Sequence, residues 1–351
     1  MNRDDEPPGA DLGPRFGIDG QLTDVRPLGR GHIHRTFLAT YRAPGGVEER
    51  WVHQRLNTSV FADLDLLMDN MARVTAHLGA RAGDARRAVR LRPAADGRPV
   101  AFDEAGAPWR TLHFIDGART YARFDGPGPA SDGAAAAARL VADLADLDPP
   151  PPEVIPGFHD VPARLGALER AQRADTANRA AACRPEVTAV LDHAGLARQV
   201  AEARVDGRLP ERTVHNDAKT ENLLFDEATG DALCLVDLDT VGPGTVLFDL
   251  GDLVRSGATA VPEDRSPDQL TVDAEIVAAL LDGYASAGAG FLTGAEVAFL
   301  PLAGPLMALE SAARFLTDHL QGDVYFRIEG PGHNLRRARN QLRVLELLLA
   351  G

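Results

Sequence analysis

The order of hydrophobic patterns along the 351 residues is the feature that most constrains the fold. Residues 15–114 combine strand-like segments with one helical segment, and helical patterns dominate after residue 117. The helical segment of the first part carries apolar residues at helical spacing: Leu64, Leu67, Met68, Met71, Val74 and Leu78. A short strand-like insert at 213–239 interrupts the later helices. The sequence therefore predicts an α+β chain with a small sheet-rich N-terminal lobe and a larger helical C-terminal lobe.

Local composition places the boundaries of these lobes. Residues 1–14 are acidic and contain several prolines, so we predict a flexible tail. We predict the N-terminal lobe over 15–114 and the C-terminal lobe over 115–351, with a connector near 114–117. A run of prolines at 149–152 must end the alanine-rich helix before it, because proline cannot donate the hydrogen bond that continues a helix.

The acidic composition excludes some classes of partner. The formal net charge of -14 reflects 51 acidic and 37 basic residues. A surface of this sign repels nucleic acid and anionic membranes, so we expect neither as a partner. Pro301, Gly304 and Pro305 interrupt the most apolar segment, so we expect no membrane-spanning helix. The N-terminal residues do not have the pattern of a signal peptide, and we predict a cytoplasmic protein that is a monomer or a homodimer.

The residues that carry chemistry are concentrated at 214–252. Phosphoryl transfer to a hydroxyl needs a carboxylate that orients the hydroxyl, oxygen ligands for a divalent metal, and a nearby cation. Asp217 and Asn222 have the Asp-to-Asn spacing of a kinase catalytic loop, in which the Asp is the base and the Asn a magnesium ligand. Lys219 is the candidate catalytic cation. The pattern predicts ATP and Mg²⁺ as cofactors.

A hairpin pattern follows this loop and ends in Asp237, the second candidate metal ligand. Asp239 would share its face if the strand continued. Asp249 and Asp252 have a simpler interpretation, as helix caps or as acceptors for the backbone of the catalytic loop. An isolated aspartate commonly occupies a turn or a cap, so the joint spacing across 215–237 carries the prediction.

The N-terminal lobe offers weaker candidates for nucleotide binding. Gly29 and Gly31 form a G-x-G, which is a candidate phosphate-binding loop but is also compatible with an ordinary hairpin turn. Backbone groups at Phe114 and Ile115, in the connector, are expected to contact adenine. These four positions are the predicted nucleotide contacts that depend on backbone atoms.

A fifth nucleotide contact is expected from a side chain. Protein kinases hold the α- and β-phosphates with a lysine on the third strand, and the corresponding segment here contains no lysine. Gln54 and Arg55 are the two candidates, and only one of them can face the phosphates because neighbouring strand residues point to opposite sides. We assign this role to Arg55, which could alternatively pair with Asp69 on the following helix.

The sequence resembles the aminoglycoside phosphotransferase and choline kinase superfamily, and within it the N-acetylhexosamine 1-kinases. The resemblance covers about 25–341 and is carried by GRGHIHRTF, VDLDTVGPGTVLFDLGDLVRSGA and ESAARFLTDHLQGDVYFRIEGPGHNLRRARNQ. It implies a two-lobed, protein-kinase-like fold and transfer of the ATP γ-phosphate to the anomeric hydroxyl of an N-acetylhexosamine. By the same motifs it implies that Asp217 is the base and that Asn222 and Asp237 bind the metal.

The resemblance also implies three residues that contact the sugar: His32, Arg314 and Tyr325. Taken alone, His32 would be an exposed loop residue, and Arg314 would be an intrahelical ion-pair partner of Glu310. Arg35 stands where the family has an acidic residue, and this departure leaves the acceptor open. A run of arginines near the C-terminus is interpreted as a solvated helix face: Arg336, Arg337 and Arg339.

Two alternative functions remain open. One is phosphorylation of another small hydroxyl acceptor, an aminoglycoside or an amino alcohol, which an acidic pocket would favour. The other is a catalytically inactive module that binds ATP without turnover, against which the intact Asp217, Asn222 and Asp237 argue. The sequence has no G-x-x-x-x-G-K-[ST] loop, no H-E-x-x-H and no A-P-E, which excludes P-loop kinases and zinc hydrolases and disfavours protein kinases.

Overall fold

The computed structural model describes residues 7–29 and 33–351. The chain divides into two compact units, Met1–Ala118 and Arg119–Gly351. The sequence prediction placed this division after Phe114, within the connector. A sheet dominates the first unit and helices dominate the second, which confirms the predicted α+β class.

The first unit is built on an antiparallel sheet. Its helices are α1 (Leu12–Arg15) and α2 (Leu64–Arg81), and its strands are β1 (Gln21–Pro27), β2 (Arg35–Arg42), β3 (Glu48–Arg55), β4 (Leu91–Arg92), β5 (Ala101–Phe102) and β6 (Pro108–His113). The strand order is β1-β2-β3-β6-β4, and β5 also pairs with β6. The helix predicted from spacing is confirmed as α2, which begins after Asp63, whose side chain accepts the Leu66 N–H.

Aromatic side chains fill one face of this sheet. The buried cluster contains Phe16, Phe37, Tyr41, Trp51 and Trp109. Leu12 of α1 belongs to the same cluster and is 1% exposed. The next residue, Gly13, lies so close to Tyr41 that a Cβ there would approach its ring to 2.5 Å. The predicted tail over 1–14 is therefore too long, because α1 buries an apolar side chain against the sheet.

The second unit is mainly helical, and β7 (Ala118–Arg119) lies at the boundary between the units. Its elements are α3 (Pro127–Leu144), α4 (Val161–Ala174), α5 (Arg184–Asp192), α6 (Ala194–Val205), β8 (Arg212–Val214), β9 (Leu223–Asp226), β10 (Ala232–Leu235), β11 (Gly242–Gly244), α7 (Val246–Gly257), α8 (Ala274–Ala287), α9 (Gly294–Phe299), α10 (Ala303–Gln321) and α11 (His333–Ala350). β9 and β10 form the predicted hairpin, and β8 pairs with β11. These two strand pairs bring the segments that begin at residues 215 and 236 to the same end of the insert.

Helix α10 is largely buried, with 15 of its 19 residues inside the protein. The segment Gly294–Gln321, which comprises α9, a 3₁₀ turn at Leu300–Leu302 and α10, is long and apolar enough to cross a membrane. This corrects the expectation that Pro301 and Pro305 would exclude such a helix: they lie in the 3₁₀ turn and the first turn of α10, where proline is tolerated. Because 67% of its most apolar stretch is buried inside the protein, packing accounts for its hydrophobicity.

Gly251 marks a close approach of α7 to α10. A Cβ at this position would lie 2.4 Å from the Ala303 carbonyl oxygen. We expect Gly251→Ala to lower the free energy of unfolding by about 1–3 kcal/mol, because the two helix backbones must move apart. Urea unfolding measures the change. Gly195→Ala in the first turn of α6 is the matched control: its Cβ would meet open space, so we expect no loss of stability. Equal stability of the two variants would contradict this packing.

Candidate active site

Three of the predicted site residues meet in the loop after β8. Asp217 Oδ2 accepts hydrogen bonds from Lys219 Nζ at 2.8 Å and from Asn222 Nδ2 at 3.1 Å. The same Asn222 nitrogen also donates to the Asp217 carbonyl oxygen at 2.9 Å. A 3₁₀ turn at Thr220–Asn222 produces this arrangement by folding the chain back on itself. The loop therefore holds a carboxylate, a cation and an amide around one point.

The electrostatics keep this carboxylate ionised. Burial raises the pKa of Asp217, but the Lys219 ammonium outweighs it, so the pKa is below its usual value. Burial lowers the pKa of Lys219, and the carboxylates of Asp217 and Asp237 raise it above its usual value. Asp217 is thus an anion and Lys219 a cation at neutral pH. The Asp237 carboxylate lies near enough to Lys219 to stabilise the charged ammonium.

The His215 ring joins the catalytic loop to the segment that carries Asp237. Its Nδ1 lies 3.2 Å from the Asp217 nitrogen, and its Nε2 lies 2.9 Å from the Val236 carbonyl oxygen. A backbone N–H only donates and a carbonyl only accepts, so Nδ1 is the acceptor and Nε2 carries the donated proton. Asp237 follows directly, in a left-handed conformation with φ 64°. The ring thus fixes the spacing of the candidate base and the candidate metal ligand.

Asp249 of α7 accepts two hydrogen bonds from the backbone of the same loop. Its Oδ2 accepts the His215 N–H at 2.9 Å, and its Oδ1 accepts the Asn216 N–H at 2.8 Å. This confirms the interpretation of Asp249 as an acceptor for the backbone of the catalytic loop. Burial raises the pKa of Asp249, and the neighbouring His215 opposes that shift without reversing it.

The candidate nucleotide contacts of the first unit are partly described. Gly29 has φ +72°, a left-handed conformation that glycine adopts without strain. Gly31 and His32 lie outside the described residues. In the sheet register Gln54 lies opposite Thr36 and Arg110, and its side chain bonds to both, at 3.0 and 2.7 Å. Arg55 points to the opposite face, as strand alternation requires.

The connector is held within the first unit by a cation. The Arg50 guanidinium carbon lies 4.9 Å from the centre of the Phe114 ring, and Arg50 also forms an ion pair with Asp116. Phe114 and Ile115 are both half-buried. Arg50 thus restrains the backbone that is predicted to contact adenine.

Arg314 and Tyr325, two of the predicted acceptor contacts, lie in one aromatic cluster. The Arg314 guanidinium carbon lies 5.3 and 5.5 Å from the ring centres of Phe158 and Phe326. It lies 6.0 Å from the ring centre of Tyr325. Its Nη1 is 3.9 Å from Glu310 Oε1, so the intrahelical ion pair is present as well. The structure thus brings these two residues together.

A buried carboxylate fixes the backbone that presents Tyr325. The side chain of Asp318 accepts the N–H groups of Val324, Tyr325 and Phe326 at 2.8, 2.7 and 2.9 Å. Its Oδ2 also accepts from Asn334 Nδ2 at 2.8 Å. The sequence gives no signal for this role of Asp318, because nothing in the local pattern indicates which backbone groups a helical aspartate reaches.

Arg337 corrects the interpretation of the C-terminal arginines as a solvated face. Its side chain is 11% exposed, its guanidinium carbon lies 3.8 Å from the centre of the Phe315 ring, and it pairs with Glu263. Arg255 Nη1 approaches Glu263 Oε2 at 2.8 Å. Helical spacing could have indicated that Arg337 is buried, since it lies one turn from the buried Asn334.

Glu263 gives this region a pH dependence. Burial raises the pKa of Glu263, but Arg255 and Arg337 outweigh it and hold it at about 2. A lowered pKa stabilises the protein above the unfolded value near 4.5, and that stability is lost as the pH falls toward 2. The side chain is 33% exposed, so solvent screening leaves a contribution of about 1–2 kcal/mol.

The wild type loses unfolding free energy as the pH falls from 5 to 2. We therefore expect this loss to be about 1–2 kcal/mol smaller in the Glu263→Gln variant. Denaturant unfolding at both pH values measures it. Glu346→Gln on α11 is the control, because that carboxylate is exposed and should leave the pH dependence unchanged. A Glu263→Gln variant that matches the wild type at both pH values would contradict the ion pairs.

A loop with a carboxylate, a cation and an amide, in an α+β chain of this arrangement, defines a phosphotransferase of the small-molecule kinase class. The family model "Phosphotransferase enzyme family" matches residues 24–291. The chain therefore belongs to the phosphotransferase enzyme family, and the predicted superfamily is confirmed.

Solved structures of such kinases have the same fold. An amicoumacin kinase, hAmiN, in complex with AMP-PNP is 16% identical, with a TM-score of 0.58 over 93% of this chain and 89% of that one. A microcompartment-associated aminopropanol kinase is 16% identical, with a TM-score of 0.59 over 97% of both chains. A choline/ethanolamine kinase family protein from Mesorhizobium loti is 19% identical, with a TM-score of 0.55 over 94% of this chain and 93% of that one. These likenesses confirm the kinase-like fold.

Proposed function

We propose that the protein transfers the γ-phosphoryl group of ATP to the anomeric hydroxyl of an N-acetylhexosamine. The observation that carries the reaction type is the contact of Asp217 with both Lys219 and Asn222. Membership of the phosphotransferase family supports a small hydroxyl acceptor, and the AMP-PNP complex of the similar amicoumacin kinase supports ATP.

The proposed roles follow from the charges of the loop. The Asp217 carboxylate orients the acceptor hydroxyl and takes its proton as the new O–P bond forms. The bond from the γ-phosphorus to the β,γ-bridging oxygen breaks, and ADP leaves. Lys219 offsets the negative charge that develops on the transferred group.

Two residues have the donor atoms that Mg²⁺ prefers. Asn222 gives its Nδ2 to Asp217, so its Oδ1 is the atom that remains to serve as a ligand. Asp237 supplies a carboxylate from the adjoining segment. A bound Mg²⁺ would neutralise charge on the β- and γ-phosphates.

The cluster around Arg314 favours a neutral acceptor. Sugar rings commonly pack an apolar face on aromatic side chains, and Tyr325 is 58% exposed and available for such a contact. Arg314 and Arg337 lie in this cluster and are paired with Glu310 and Glu263, so these balanced charges would give a cationic amino alcohol little attraction. The alternative acceptor is an amino alcohol or an aminoglycoside, and the name of the similar aminopropanol kinase favours the amino alcohol.

An ADP-release screen tests the proposal. N-acetylhexosamines, hexoses, aminoglycosides and amino alcohols are compared at equal concentration, with magnesium and ATP, and ³¹P NMR identifies the phosphorylated position. We expect turnover with N-acetylhexosamines and a sugar 1-phosphate as product. Turnover with only amino alcohols or aminoglycosides would show that the acceptor belongs to one of those classes and is not an N-acetylhexosamine. ATP binding without turnover of any acceptor would indicate an inactive module.

A further inference from the structure

His159 lies between two groups that can only accept a hydrogen bond. Its Nδ1 is 2.8 Å from Glu310 Oε2, and its Nε2 is 2.7 Å from the Asn216 carbonyl oxygen. The residue is 7% exposed, and its ring packs 4.6 Å from the Phe248 ring. A neutral imidazole has one N–H and could satisfy only one of these acceptors, whereas an imidazolium satisfies both.

We infer that His159 is held as an imidazolium and is a positioning residue for the catalytic loop, an inference that rests on the proposed function. The peptide groups of Asn216 are restrained on both sides, since Asp249 accepts its N–H and His159 donates to its carbonyl. The carbonyl of Asn216 belongs to the peptide bond that leads into Asp217. His159 therefore limits how far the Asp217 backbone can rotate.

The charges around His159 favour the imidazolium. Burial lowers the pKa of His159, but the Glu310 carboxylate outweighs it, and the net direction is upward. The charged groups that face this pair come from the surrounding helices: Glu310 and Arg314 of α10, Asp252 of α7 and Arg164 of α4. A raised pKa means that the bridge is complete below the ordinary histidine value of 6.5 and is lost as the pH rises through the raised value.

The same bridge connects the acceptor side to the base. Glu310 Oε2 accepts the hydrogen bond that His159 Nδ1–H donates, and Glu310 Oε1 lies 3.9 Å from Arg314 Nη1. Among the described residues, Glu310 Oε1 has no hydrogen-bond partner despite its burial. Arg314 is a cation that faces this oxygen, so a shift of Arg314 would alter the electrostatic environment of the carboxylate that holds His159.

Nitrogen-15 NMR of the full chain tests the protonation state directly. We expect both ring nitrogens of His159 to carry protons at pH 7.5. His53 is the internal control: it is buried beside Tyr41 and Thr111, burial lowers its pKa to about 4, and it should be neutral in the same spectrum. A neutral His159 at this pH would overturn the inference, and this readout does not depend on turnover.

Kinetics test the positioning role on whichever acceptor the screen identifies. We expect His159→Gln to lower kcat about 10- to 100-fold, because the hydrogen bond to either Glu310 or the Asn216 carbonyl is lost. KM for ATP should stay within twofold of the wild-type value. The wild-type kcat should fall at high pH with the midpoint of the His159 titration, and the variant should lack that limb. His53→Gln is the matched control and should keep the wild-type pH profile. A His159→Gln profile identical to wild type would also overturn the inference.

Discussion

Replacement of Asp217 by Asn is expected to lower kcat by about 10²- to 10⁴-fold, because the amide cannot take the proton of the acceptor hydroxyl. The amide oxygen can still accept from Lys219, so the loop should keep its shape. KM for ATP should change little, since the lost interaction develops only as the new bond forms. Coupled ADP-release assays with saturating acceptor measure both constants.

A distant Asp→Asn change is the control for this experiment. Asp231 lies in the exposed turn between β9 and β10, and Asp231→Asn should keep the wild-type kcat. Circular dichroism and thermal unfolding establish that the Asp217→Asn protein is folded. Retention of more than a tenth of the wild-type turnover in that folded variant would remove Asp217 from the role of base.

The second large effect is expected at Asp249, which should act on both stability and turnover. Asp249→Ala leaves the N–H groups of His215 and Asn216 without their buried acceptor. Each such loss costs about 1–3 kcal/mol, so the free energy of unfolding should fall by about 2–6 kcal/mol. Turnover should fall as well, because the peptide groups before Asp217 lose their support.

Urea unfolding and kcat, measured on the same preparation, check this expectation. Asp282→Ala is the matched control, because that carboxylate lies exposed on α8. We expect a change within about 0.5 kcal/mol for the control. An Asp249→Ala variant as stable as the control would show that water or another group takes over the two donors.

Local features of the site were predictable from sequence. The spacing of Asp217, Lys219 and Asn222 lies within one loop, and a short turn brings such residues together whatever surrounds them. The α+β class and the helix α2 followed from hydrophobic spacing, which depends only on neighbours in the chain. The roles assigned to these residues stay predictions until the variants are measured.

Contacts between distant segments were not predictable. His159 and Glu310 are 151 residues apart, and no local pattern indicates that they form a hydrogen bond. The burial of Arg337 depends on Phe315 of another helix, and the burial of Leu12 depends on the sheet. The effect of the prolines in Gly294–Gln321 differs from the expectation, because Pro301 lies in a 3₁₀ turn and Pro305 in the first turn of α10, where proline is tolerated.

The loop anchored by Asp318 has a consequence for how this protein can evolve. Its backbone is fixed by a buried carboxylate, while the side chains of Val324 and Tyr325 are 74% and 58% exposed. Exchanges at such exposed positions usually alter stability by no more than about 0.5 kcal/mol. Many different side chains can therefore be accepted at the proposed acceptor surface with little effect on folding. A library of variants at residues 324 and 325 is the first experiment for redirecting the enzyme to new hydroxyl acceptors.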